Sequence, residues 1–155
     1  MNRIDYTKHA PEAFRHLLEL SDRLHKGVLD PNLLELVFLR VSQINGCVFC
    51  LDMHAHALRK AGVDQRKLDT LPGWRESPLF DARERAALAW AEALNALDAG
   101  PLEENALEAV RAHFDEREVS ELTFAVGAIR AWNVLNVGLR QPLPETPFEA
   151  AADAA

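Results

Sequence analysis

At 155 residues the chain is long enough for one domain to bury its own core without disulfide staples or a structural metal. A formal charge of -7, with 48% hydrophobic and 26% charged residues, fits an ordinary globular protein and excludes a phosphate-binding face, so no nucleic-acid partner is expected. The opening MNRIDYTKHAPEAF has no apolar stretch of signal length, and the densest apolar patch, residues 33–41, is broken by Glu35 and Arg40; the expectation is a cytoplasmic protein with no membrane contact.

Proline, glycine and aspartate divide the chain into helix-sized blocks, none with the period-2 alternation of a half-buried strand. The fold class that follows is all-α, a single-domain bundle of about six to seven helices. The first helix is expected over 11–25, with Phe14, Leu17, Leu18 and Leu24 at helical spacing and Gly27 past its end. Asp30-Pro31 opens the second, an acidic cap followed by proline at the first helical position, and it runs to about 43. After the Asn45-Gly46 junction a third runs over 47–60, closed by Gly62; so short a junction makes helices two and three antiparallel neighbours. Asp64 caps a brief helix that ends before Pro72-Gly73.

Asp81 and Glu84 have the form of a capping box and open an alanine-rich helix to about 97. Another helix is expected over 103–114, and a long one from 115 to about 139 whose many small and apolar residues suit a central place. Residues 1–141 therefore read as the helical domain, and 142–155, with Pro142, Pro144 and Pro147, as an extended or disordered arm.

The only two cysteines, Cys47 and Cys50, are three residues apart, so they cannot form the spread disulfide framework of a secreted mini-protein. On a helix Cys47 and Cys50 share a face, and so do Cys50 and His54. Residues three apart have Cα atoms roughly 5 Å from each other, within the window a disulfide requires, so the pair can close reversibly. The helix N-terminus and a nearby imidazole both favour thiolate. The dipole favours Cys47, but His54 lies about 6 Å along the axis from Cys50 and about 10 Å from Cys47, which makes Cys50 the nucleophile and Cys47 the resolving thiol.

Glu35 is a carboxylate inside the run Leu33-Leu34-Glu35-Leu36-Val37-Phe38-Leu39 and needs a partner. If helices two and three are antiparallel, it stands about as far before the turn as His54 stands after it. The two then meet, and Glu35 orients the imidazole as the third group of a nucleophile-base relay. Histidines 9, 16, 25 and 113 carry no functional assignment, and the tryptophans read as packing.

Glu35, Cys47-x-x-Cys50 and His54, with Arg40-Val-Ser-Gln-Ile-Asn-Gly46 and Met53-His-Ala-His-Ala-Leu-Arg-Lys-Ala-Gly62 around them, make the chain resemble the AhpD-like alkylhydroperoxidases of the carboxymuconolactone decarboxylase superfamily. Trp132-Asn133 and Arg140 resemble that family's last helix. The resemblance implies a thiol-dependent hydroperoxide reductase: Cys50 peroxidatic, Cys47 resolving, Glu35 and His54 the proton relay. No cofactor beyond the redox-active Cys47-Cys50 disulfide and no metal are implied. The implied partners are a hydroperoxide, a lipoyl-bearing or thioredoxin-like reductant, and further copies of the chain in a trimer or hexamer. Phe49 stands where the best-characterised members carry histidine, and it either lines an apolar substrate channel or packs.

Rival readings are a non-enzymatic redox sensor, a zinc site on Cys47, Cys50, His54 and Glu35, and a lyase of the superfamily's decarboxylase branch. Zinc would ordinarily need a second Cys or His pair at knuckle spacing, which is absent. The decarboxylase members lack the paired cysteines.

Overall fold

Aspartate caps set most of the helix starts in the structure, a computed structural model that describes residues 3–147. Asp5 caps α1 (Tyr6–His9), and α2 (Pro11–His25) follows directly. The Asp30 carboxylate accepts from the Asn32 and Leu33 amides to open α3 (Pro31–Asn45), with Pro31 in the first turn. Cys47 caps α4 (Val48–Lys60) and Asp64 caps α5 (Gln65–Asp69), after which a 3-10 turn spans Leu71–Gly73. Reciprocal capping boxes, Asp81 with Glu84 and Asp115 with Glu118, open α6 (Ala82–Asn95) and α8 (Glu116–Gly138), with α7 (Ala106–Arg111) between them.

The architecture is all-α, with eight α-helices among the described residues. The sequence pattern anticipated seven of them; the eighth is α1, a single turn that buries none of its residues. The helix expected over 103–114 is only Ala106–Arg111, and Asn105 at its start supplies no side-chain cap. Gly27 does follow α2, but not as a left-handed cap: the Glu121 carboxylate accepts from the Val28 amide and fills the space where a Cβ at Gly27 would stand. Of the expected arm, residues 141–147 form no helix and 148–155 lie outside the described residues.

The spine of the bundle is α3. Leu34, Val37, Phe38 and Val41 pack into a core with Leu122, Ala125, Val126 and Ile129 of α8, Ala87, Trp90 and Ala91 of α6, and both cysteines. Its other side sends Leu36 and Leu39 to Leu58, Leu68, Leu71, Trp74, Phe80 and Leu88. A helix apolar on nearly all sides is one buried on nearly all sides. Glu35 therefore lies on an element where a lone charge is costly. The longest helix, α8, is less central than its composition suggested, since Phe124 and Val134 remain 63% and 71% exposed. No helix among the described residues is long and apolar enough to cross a membrane.

Candidate redox site

The turn that delivers the cysteines is fixed by a cluster of amides. Asn45 Nδ2 donates to Asn95 Oδ1 and Asn133 Oδ1, both at 3.0 Å, while Asn95 Nδ2 donates back to Asn45 Oδ1 and Asn133 Nδ2 to Ser42 Oγ. These bonds tie the end of α3 to α6 and α8. Gly46 then adopts left-handed backbone at φ 68, a conformation that favours glycine, and the chain reverses into α4.

Cys47 and Cys50 are joined by a disulfide, with Cα atoms 5.3 Å apart. Both side chains are 1% exposed. Cys47 occupies the cap position of α4, where its Sγ accepts from the Cys50 amide at 3.3 Å, so this sulfur faces the positive end of the helix. Cys50 Sγ accepts from Asn136 Nδ2 at 3.4 Å, and Asn136 Oδ1 in turn accepts from the Tyr6 hydroxyl at 2.9 Å. The second sulfur of the pair thus has its own polar partner on α8.

One turn beyond Cys50, His54 is buried on the same face of α4. Its Nδ1 lies 2.7 Å from Glu35 Oε2, and its Nε2 has no hydrogen-bond partner among the described residues. With Nδ1–H donating to the carboxylate, Nε2 is left as a bare acceptor. The other oxygen of Glu35, Oε1, lies 2.6 Å from Nε2 of His25. Burial pushes the Glu35 carboxyl up, but the hydrogen bonds from His25 and His54 outweigh it and bring its pKa down to about 2. Glu35 is ionised at neutral pH. His25 is raised above its ordinary value, chiefly by the same bond to Glu35.

A cleft of about 170 Å³ opens beside the disulfide, lined by Cys47, Val48, Phe49, Asn136, Val137 and Arg140 among others. Cys47 lines it and Cys50 does not. Phe49 is half-buried, touching both this cleft and the core.

The four side chains picked out by spacing, Glu35, Cys47, Cys50 and His54, do come together, and Glu35 meets His54 across the α3–α4 turn as the antiparallel pairing requires. Asn133, matched only as part of a motif, proves to brace that turn. Three contributors were missed: His25, Asn136 and Tyr6. For His25 a signal existed, because a buried carboxylate has two oxygens and one histidine satisfies only one of them.

Fold and site together define a helical protein with a Cys-x-x-Cys disulfide at a helix start and a Glu-His pair beside it. The carboxymuconolactone decarboxylase family model matches residues 11–93, more than half of the chain and all of these side chains, and the chain belongs to that family. Its likeness within the family is to the AhpD-like members. YdfG of Bacillus subtilis is 28% identical over 137 residues, 88% of this chain and 93% of its own length. A crystal structure from Agrobacterium tumefaciens, whose name proposes an AhpD antioxidant defence protein, superposes with a TM-score of 0.88 at 38% identity, covering 93% of this chain and 99% of that one. An uncharacterized peroxidase-related protein from Silicibacter gives a TM-score of 0.77 at 25% identity over 86% of this chain and 71% of its own.

Proposed function

We propose that the protein is a thiol-dependent hydroperoxide reductase that cycles Cys47 and Cys50 between dithiol and disulfide. The observation that carries this reading is the closed Cys47–Cys50 pair one helical turn from a buried histidine whose Nε2 is bare and whose Nδ1 is held by an ionised carboxylate. In the reduced enzyme, His54 Nε2 takes the Cys50 thiol proton, and the imidazolium is stabilised by Glu35. The Cys50 thiolate attacks the terminal oxygen of the hydroperoxide, the O–O bond breaks, and the alkoxide leaves as alcohol with the proton held on His54. Cys50 is now a sulfenic acid. Cys47 attacks its sulfur, the S–S bond forms, and hydroxide leaves as water with the Cys47 proton. Two electrons have passed from the dithiol to the peroxide.

An external dithiol of the lipoyl or thioredoxin type closes the cycle. Because the cleft reaches Cys47, its sulfur is the one attacked, and Cys50 is expelled as thiolate toward Asn136. Phe49, on the wall of that cleft, is assigned to the substrate channel. The chain is further proposed to act as a homo-oligomer, a trimer or hexamer, in the cytoplasm. The exposed Phe124 of α8 and a groove of about 570 Å³ lined by Leu17, Leu20, Leu107, Phe124 and their neighbours support self-association.

The test is peroxide consumption driven by dithiothreitol. Wild type turns over, Cys50→Ser does not, and Cys47→Ser, whose Cys50 sulfenic acid only the external dithiol can resolve, turns over more slowly with Cys50 trappable as sulfenic acid. Undiminished turnover in Cys50→Ser would overturn the proposal.

A further inference from the structure

The relay described above uses one oxygen of Glu35, whereas the structure shows both engaged. His25, at the last turn of α2, places Nε2 2.6 Å from Glu35 Oε1 and Nδ1 2.8 Å from the Ser21 carbonyl oxygen. A carbonyl has no hydrogen to give, and an ionised carboxylate has none either. A neutral imidazole owns one N–H and can satisfy only one of them. The geometry therefore demands one more proton than a neutral histidine supplies, and beside an ionised Glu35 that proton sits on the His25 ring.

We infer that His25 is a positioning residue of the relay, a cationic ring that clamps Glu35 Oε1 from the solvent side and so presents Oε2 to His54 and keeps His54 Nε2 bare. The inference rests on the proposed reductase for its catalytic consequence. Its side chain is 33% exposed, against 13% for Glu35 and 5% for His54, so the two rings and the carboxylate between them run from solvent inward. Phe38 packs against both imidazoles, with ring centroids 5.7 Å from His25 and 5.1 Å from His54, and fixes their planes. The charged groups acting on His25 are Glu35 from α3 and Asp22 from its own helix; His54 of α4 reaches it only through Glu35. Glu121 of α8, at the same turn, is committed to the Val28 amide and to Arg117.

Without the His25 cation, Oε1 is a buried carboxylate oxygen with no charged donor, and burial then favours the protonated acid. A neutral Glu35 no longer stabilises a proton on His54. The loss of function is greatest at low pH.

The experiment compares wild type, His25→Gln and His25→Lys as full chains by two readouts: the pH profile of dithiothreitol-dependent peroxide turnover, and the pH profile of Cys50 alkylation by iodoacetamide in a reduced Cys47→Ser background. In His25→Gln the acid limb of both profiles moves up by about one unit, a roughly tenfold loss at pH 5.5, with the peroxide KM unchanged. His25→Lys, which restores a cationic donor to Oε1, recovers most of it. In wild type, nitrogen NMR of labelled histidine finds both His25 ring nitrogens protonated at pH 6.5. Profiles for His25→Gln that superpose on wild type, a lysine variant no better than glutamine, or a neutral His25 ring at pH 6.5 would each overturn the inference. Absence of peroxide turnover in wild type sinks the reductase instead, and the alkylation and NMR readouts still decide the role of His25.

Discussion

Asn136 donates its side-chain amide to the sulfur of Cys50 at 3.4 Å, and its own carbonyl oxygen is held by the Tyr6 hydroxyl, 130 residues away in the chain. Asn136 is buried, so its orientation is set by these two contacts rather than by water. In the proposed cycle Cys50 carries negative charge twice, before it attacks peroxide and when the reductant expels it. The Asn136 amide is the donor that meets that charge.

Asn136→Leu is therefore expected to slow both half-reactions. A hydrogen bond to a charged group contributes about 1.5–3 kcal/mol, and a sulfur acceptor at this distance argues for the low end, or roughly tenfold in turnover. Tyr6→Phe, which frees the amide without removing it, costs less, about threefold or under. Stopped-flow rates for the peroxide and the dithiol steps separate the two effects. Equal rates in Asn136→Leu and wild type would show that Cys50 needs no donor from α8.

The same buried ion cluster fixes how stability depends on pH. Glu35 is lowered from its ordinary 4.5 to about 2, so its contribution is present above 4.5 and is lost as pH falls toward 2. His25 is raised from 6.5, so its contribution is present below 6.5 and is lost as pH climbs through its raised value. The two windows overlap between 4.5 and 6.5. The Tm difference between wild type and Glu35→Gln is expected to peak there, at several degrees, and to shrink on both sides. Differential scanning calorimetry from pH 3 to 9 checks it, and a flat difference would remove Glu35 and His25 from the stability of the fold.

Why four of the site residues were legible in the sequence and three were not is a matter of range. Glu35, Cys47, Cys50 and His54 lie on two consecutive helices joined by a two-residue turn, so helical periodicity and one antiparallel reversal bring them together. The Asp30-Pro31 and Asn45-Gly46 signals fix where those helices start and stop. His25 ends an amphipathic helix in the setting Arg23-Leu24-His25-Lys26, where a basic residue ordinarily offsets the helix dipole, and only the α2–α3 packing turns it toward Glu35. Tyr6 and Asn136 come from opposite ends of the chain, and no local pattern relates them. The shorter α7, which starts after Asn105 without a side-chain cap, was not legible from composition.

Gly46 links the amide cluster to the cysteines, and its left-handed backbone leads to a separate expectation. No atom stands within 4 Å of where a Cβ would be, so Gly46→Ala meets no steric clash and only backbone strain. That strain is about 1–2 kcal/mol, a fall in Tm of roughly 2–6 °C for a domain of this size. Turnover at 25 °C should stay within about twofold of wild type, because the Asn45 bonds to Asn95 and Asn133 still hold the end of α3. A variant that melts like wild type would mean the turn relaxes, and one that melts normally yet loses activity would mean Gly46 sets the cysteine geometry directly.

The asymmetry of the cleft makes the last expectation the most direct. Cys47 lines the opening beside Phe49 and Arg140, whereas Cys50 does not line it and accepts instead from Asn136. A reductant thiol entering by the cleft attacks Cys47 and leaves Cys50 as the departing thiolate, the sulfur with a hydrogen-bond donor waiting. In Cys50→Ser, Cys47 has no resolving neighbour, so a lipoyl-like monothiol activated as a mixed disulfide, which has no second thiol to release it, is trapped on Cys47. In Cys47→Ser, the same reagent reacts with Cys50 at least about tenfold more slowly, since that sulfur does not line the cleft. Intact-protein mass spectrometry over time reads both variants, and faster capture by Cys50 would place the reductant's entry on the other side of the pair.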